Sequence, residues 1–276
     1  MSPAPSGPAD ARPVARWRWW IHLLLIAAFP LLSGALGLLR EQTAEPALSS
    51  SVPGLLWASA WALLVFALPF GGAWLASRAS RDELLLRWRQ GFWTVPLGVG
   101  YSIALRLLVG IIVVIVAVAV VALHIVSTPE LEQIIHERAP DVGSVVDVAS
   151  LRNNPVYFWL MTTFVSFVVA GLREELWRSA FIAGMRGLWP RRFATRRAQL
   201  VAVLIAAVIF GAGHASQGLM GATIAGILGL GLGAIMVFHR SIWPAVIAHG
   251  CVDAASFALL PWAMEKLQQL QHTLPH

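Results

Sequence analysis

The 276-residue chain is poor in charge, with 12% Asp, Glu, Lys and Arg, about half of the ~25% usual in a soluble domain. So little charge excludes intrinsic disorder, a long coiled coil and a single water-facing domain. Lysine is nearly missing, since Lys266 stands against 19 arginines. A lone cysteine, Cys251, excludes an internal disulfide framework and a cysteine-rich metal site. Tyrosine occurs twice and tryptophan 13 times, and tryptophan is favoured at membrane interfaces. No basic stripe is interleaved with aromatics, so the pI near 10.9 does not point to nucleic acid. No long internal repeat is visible, which argues against transporters built from inverted repeats.

What the chain has instead is apolar surface, with 58% hydrophobic residues and a mean hydropathy of +0.71. Runs long enough for the ~20 residues a bilayer requires fall at Trp17–Leu39 and near 54–77, 97–126, 155–185, 198–216, 219–238 and 242–262. The expected fold is therefore all-α, a polytopic transmembrane helical bundle of about seven to eight spans. The first run is too long for the ~7–15-residue apolar core of a signal peptide, so it is read as retained. Residues 1–16 read as a disordered cytoplasmic tail and 17–126 as N-terminal transmembrane helices. An amphipathic interfacial helix is expected near 78–93, where leucines and Trp88 alternate with arginines. Residues 127–152 read as an acidic extracytoplasmic loop, and 263–276 as a C-terminal tail.

Arginines gather in the N-terminal tail, in 78–89, in 186–197 and at Arg240. Seven spans with a cytoplasmic N-terminus put all of these on one side, as the positive-inside rule requires. In the sixth span Gly221, Ala225, Gly229 and Gly233 recur every four residues, a ridge that lets another helix approach closely.

Ionisable groups within a bilayer are expensive and mark function. The candidates are Arg173, Glu174, Glu175 and Arg178 in the fourth span, His214 ending the fifth, and His249 with Asp253 in the seventh. Arg106 is placed to snorkel to the cytoplasmic interface, and His22 and His124 fall at span ends where a solvated imidazole costs little. Residues four apart share a helix face, so Glu174 is expected to stack on Arg178 and His249 on Asp253. Glu175 points about 100° away from Glu174. Two acids and two histidines on separate spans form a water-activating set, or a divalent-metal site with an open position. The structural alternative is a buried ion-pair network tying helices together.

The order Glu174-Glu175-Leu176-Trp177-Arg178, then Phe210-x-x-x-His214, then His249-x-x-x-Asp253 resembles the CAAX protease and bacteriocin-processing (CPBP, or Abi) family of intramembrane endopeptidases, which includes the type II CAAX prenyl endopeptidases. The resemblance spans about 155–262 and makes that segment a catalytic helical core. The family's first motif is EExxxR, and this chain is one residue shorter, EExxR. With the glutamates aligned, the resemblance makes Glu174 the water-activating carboxylate. Arg178 on its own face favours it further, with Glu175 as the alternative. His214 would help activate the water, and His249 and Asp253 would form the oxyanion side, Asp253 fixing the His249 ring. The resemblance implies either a glutamate-dependent mechanism or zinc held by Glu174, His214, His249 and Asp253.

The expected partners are membrane lipids and a membrane-associated protein or peptide substrate. The resemblance offers a prenylated CAAX protein, a processed peptide or the C-terminal tail of a sorted surface protein. The arginine-heavy composition suggests a GC-rich bacterium and its inner membrane, which favours peptide maturation or sorting. A non-catalytic membrane scaffold, or a transporter cycling protons on the same residues, is the alternative.

Overall fold

The structure is a computed structural model that describes residues 14–39, 48–138 and 146–273. The expected N-terminal tail lies almost wholly outside them. Among the described residues seven helical segments are long and apolar enough to cross a membrane, and no strand occurs. The protein is an integral membrane protein.

Helix α1 (Arg16–Leu39) and α2 (Val52–Ser77) form the first pair. The hydroxyl of Ser51 caps α2 by accepting from Gly54 N at 3.2 Å, and Pro53 enters the first turn, where its missing N–H costs nothing. Helix α3 (Thr94–Ala122) follows. The short helices α4 (Thr128–Arg138) and α5 (Val148–Asn153) occupy the expected acidic loop. Ser127 and Glu130 form a reciprocal capping box at the start of α4. The long α6 (Pro155–Leu188) is the fourth span, and its middle, Met161–Leu172, is π-helical. Helix α7 (Arg196–Gly213) ends at His214, and a 3₁₀ turn (Ala215–Gln217) leads into α8 (Gly218–His239). Helix α9 (Trp243–Thr273) closes the bundle. It continues through the expected C-terminal tail, because Glu265–Gln271 are good helix formers.

Residues 78–93 are not the expected interfacial helix. Ser80 and Glu83 start a helical turn with a capping box, and it stops after one turn. Leu85 takes a left-handed φ of 56°, while Leu86 N bonds to Arg81 O and Leu85 N to Asp82 O, a Schellman closure. The carbonyls a longer helix would use are committed elsewhere. Leu85 O accepts from Ile242 N, Leu86 O from Trp243 Nε1 and Arg87 O from Ser241 Oγ, at 2.8–2.9 Å. The segment thus caps the α8–α9 turn, leaving Ser241 and Ile242 fully buried.

The core lies where α1, α6, α7, α8 and the start of α9 meet. Helix α3 is peripheral, with Ile111, Val113, Val114 and Ile115 exposed, as lipid-facing residues are. His22 is not the solvated end residue the sequence suggests. It is buried, with Nε2 2.8 Å from Ala180 O and Nδ1 3.0 Å from both Ala73 O and Ser77 Oγ, and so ties α1 to α2 and α6. His124 is exposed beyond the end of α3.

Candidate active site

Glycine decides where α6 and α9 cross. A Cβ on Gly171 would lie 3.1 Å from Val246 O, and one on Gly250 would lie 2.3 Å from Phe167 Cδ1. The two backbones approach there because neither glycine carries a side chain. Gly171 sits at the end of the π-helical stretch, in which Ser166 Oγ donates to Met161 O five residues back at 2.7 Å. Such stretches are often found at functional sites. Glu174 and Glu175 follow within a turn, and His249 adjoins Gly250 on the facing helix.

The two carboxylates meet His249 on different ring nitrogens. Nδ1 donates to Glu175 Oε1 at 3.0 Å, while Nε2 stands 3.6 Å from Glu174 Oε2 and 3.6 Å from Asp253 Oδ2. The group that fixes the ring is therefore Glu175. Asp253, to which the sequence reading gave that role, stands beyond hydrogen-bonding distance. The sequence also paired Arg178 with the wrong carboxylate. Arg178 is fully buried and ion-paired with Glu175, one turn of i,i+3, and Glu174 Oε1 instead accepts from Arg173 Nη2 at 2.7 Å. The guanidinium carbon of Arg178 lies 4.8 Å above the Phe210 ring, a cation–π contact. Gly229 and Gly233 leave room for it, since their Cβ atoms would lie 3.4 and 3.1 Å from its side chain. Half of the small-residue ridge thus houses an arginine.

His214 ends α7, and its Nδ1 lies 2.8 Å from Phe210 O. With that carbonyl as acceptor, the proton of the neutral ring sits on Nδ1 and Nε2 keeps its lone pair. Glu174, His214, His249 and Asp253 line one cavity of about 630 Å³, together with Arg173 and Gln217. Its other walls are largely apolar, among them Val165, Val169, Ile224, Leu228 and Phe257. Glu175 and Arg178 are buried behind it. A second cavity of about 220 Å³, toward α1, shares Arg173, Glu174, His214 and Gln217.

One polar residue escaped the sequence reading, and a second was given the wrong place. Gln217 was not considered, and its signal is an amide three residues beyond His214 in the turn that ends the span. Arg106 does not snorkel. Its Nη2 donates to Cys251 O at 2.6 Å and Val252 O at 2.7 Å, clamping α3 to α9 beside Asp253.

Both imidazoles hold their Nδ1 atoms in hydrogen bonds, His249 to Glu175 and His214 to Phe210 O, and leave Nε2 to the cavity. Among the described residues no group of three or more His, Cys, Asp or Glu side chains is arranged to hold a metal ion.

Residues 155–255 match the family model described as Type II CAAX prenyl endopeptidase Rce1-like. That is the CPBP family that the three motifs resemble, and the matched segment contains all three. No curated protein and no solved structure matches the chain.

Proposed function

We propose that the protein is an intramembrane endopeptidase that hydrolyses a peptide bond of a membrane-associated substrate with water activated by Glu174. The observation that carries this reading is the convergence of Glu174, His214, His249 and Asp253 on one apolar-walled cavity. Apolar walls suit a segment drawn from the bilayer, and the polar cluster is where its backbone would react.

Glu174, oriented by Arg173, takes a proton from a water that His214 Nε2 helps to position. The hydroxide oxygen bonds to the substrate carbonyl carbon. The oxyanion that forms is met by Nε2–H of His249 in its protonated form, whose charge Glu175 and Asp253 balance. The C–N bond then breaks, and the proton held by Glu174 passes to the leaving nitrogen, giving a carboxylic acid and an amine; the acid's proton then passes to the amine, leaving a carboxylate and an ammonium. The Glu175–Arg178 pair holds the His249 ring without touching substrate. The arginine distribution favours an N-terminus in the cytoplasm.

The test incubates membrane-anchored peptides with protein in nanodiscs, with and without a zinc chelator. Replacing a general base costs about 10²–10⁴-fold in rate, so Glu174→Gln loses at least about 100-fold while accumulating normally in the membrane. Wild-type cleavage that survives the chelator supports the glutamate mechanism. Chelator-sensitive cleavage assigns the zinc route instead. Wild-type rates in Glu174→Gln contradict the proposed base.

A further inference from the structure

Seven spans traverse alternately, so their connections fall into two sets, and contacts hold each set together. At one end Arg18 Nη2 donates to Leu75 O at 3.2 Å, Trp20 packs edge-on against Trp189 at 5.5 Å, and Gln90 Nε2 donates to His239 O at 3.0 Å. At the other end Ser150 Oγ donates to Ser50 O at 2.8 Å, a Cβ on Gly37 would lie 3.2 Å from Ser216, and Arg152 pairs with Glu265. The charges divide along the same line. In the sequence that belongs to the first end there are thirteen arginines against three acids, and at the second three arginines and Lys266 against eight acids. Such a bias sets the first end in the cytoplasm.

The cavity reaches the second end. His214 stands at the terminus of α7, Gln217 lies in the turn beyond it, and Leu48 and Val146 bring in the connections before α2 and α5. Toward the arginine-rich end the way is filled. Ala180, Ile182 and Ala183 of α6, Leu84 of the capping segment and Ile242 are each at most 2% exposed. Water and a polar backbone therefore reach Glu174 from the acidic end.

We infer that the cavity is entered from the extracytoplasmic face, and that its substrate is a peptide segment displayed on that face, next to the membrane anchor of a translocated protein. The substrate half rests on the endopeptidase reading, and the side of access rests on topology, charge and packing alone.

The experiment separates the two. In a Cys251→Ser background expressed in a bacterial host, Ser216→Cys marks the end near the cavity and Arg192→Cys the arginine-rich end. Both positions are exposed, and each variant is used at membrane levels matching wild type. A membrane-impermeant maleimide is applied to intact spheroplasts and to inverted vesicles. Anchored peptides displaying one cleavable segment outside or inside are then compared in the same cells. The inference expects Ser216→Cys to label in spheroplasts, Arg192→Cys to label only after inversion, and the outside segment alone to be cut. The reversed labelling pattern, or labelling of each position from both faces, overturns it. Cutting of the inside segment alone also overturns it. Correct labelling with neither segment cut would overturn the substrate and the endopeptidase reading together, while the side of access would stand.

Discussion

Glu174 and Glu175 are neighbours in sequence and differ in surroundings. Glu174 borders two cavities and is balanced by a partly exposed arginine, whereas Glu175 is sealed between Arg178 and His249. Removing one member of a buried ion pair strands the other and costs about 3–5 kcal/mol. Arg178→Ala should therefore lower thermal stability in detergent sharply, and Glu175→Gln combined with Arg178→Met should recover much of the loss. A small effect of Arg178→Ala would contradict the pair's structural role. The sequence singled these charges out as intramembrane ionisable groups. It could not show which glutamate Arg178 meets, because i,i+3 and i,i+4 partners are both in reach on a helix and the choice was made by Phe210 and the glycines of α8. Nor could it show that one imidazole serves both carboxylates, since that depends on how α9 crosses α6.

Among the elements, the spans were legible because a bilayer demands long apolar runs, and the helices match them closely. The capping segment was not, since its leucines and arginines read as an amphipathic helix while its carbonyls were bound for Ser241, Ile242 and Trp243. Its Asp82 gives a pH test. A hydrogen bond from Arg87, with Arg89 and Arg240 nearby, holds the Asp82 carboxyl below the usual carboxylate range. A lowered pKa in the folded state stabilises the protein above the unfolded-state value and ceases to do so as pH falls through the folded one. Wild type should be slightly more stable than Asp82→Asn at neutral pH, with the difference shrinking as pH falls past the ordinary carboxylate value of about 4 and lost only once Asp82 is protonated in the folded protein, as followed by thermal unfolding. The helix crossings give a steric test. A Cβ on Gly233 would lie 2.5 Å from Val203 Cγ1, whereas Gly110 has open space around it. Gly233→Val should cost about 1–3 kcal/mol by overpacking, and Gly110→Ala should be neutral or slightly stabilising.

For the whole molecule, the division of charge between the two ends governs behaviour in lipid. Each arginine near an anionic surface contributes about 1 kcal/mol at low salt, and the Debye length shrinks to about 8 Å at physiological ionic strength. Unfolding temperature in nanodiscs should rise with the anionic lipid fraction, and salt should erase much of the rise. An effect that is insensitive to salt would contradict an electrostatic origin. Charge of both signs could be counted from the sequence. The location of the cavity at the acidic end could not, because it depends on where α7 stops and which side chains fill the bundle beneath it.

The central claim is hydrolysis by a water that Glu174 activates, and one turnover in ¹⁸O-labelled water tests it most directly. Mass spectrometry of the two fragments should find a single ¹⁸O in the new carboxylate of the wild-type product, and almost no product from Glu174→Gln over the same time. Equal yields of labelled fragment from both proteins would contradict the account.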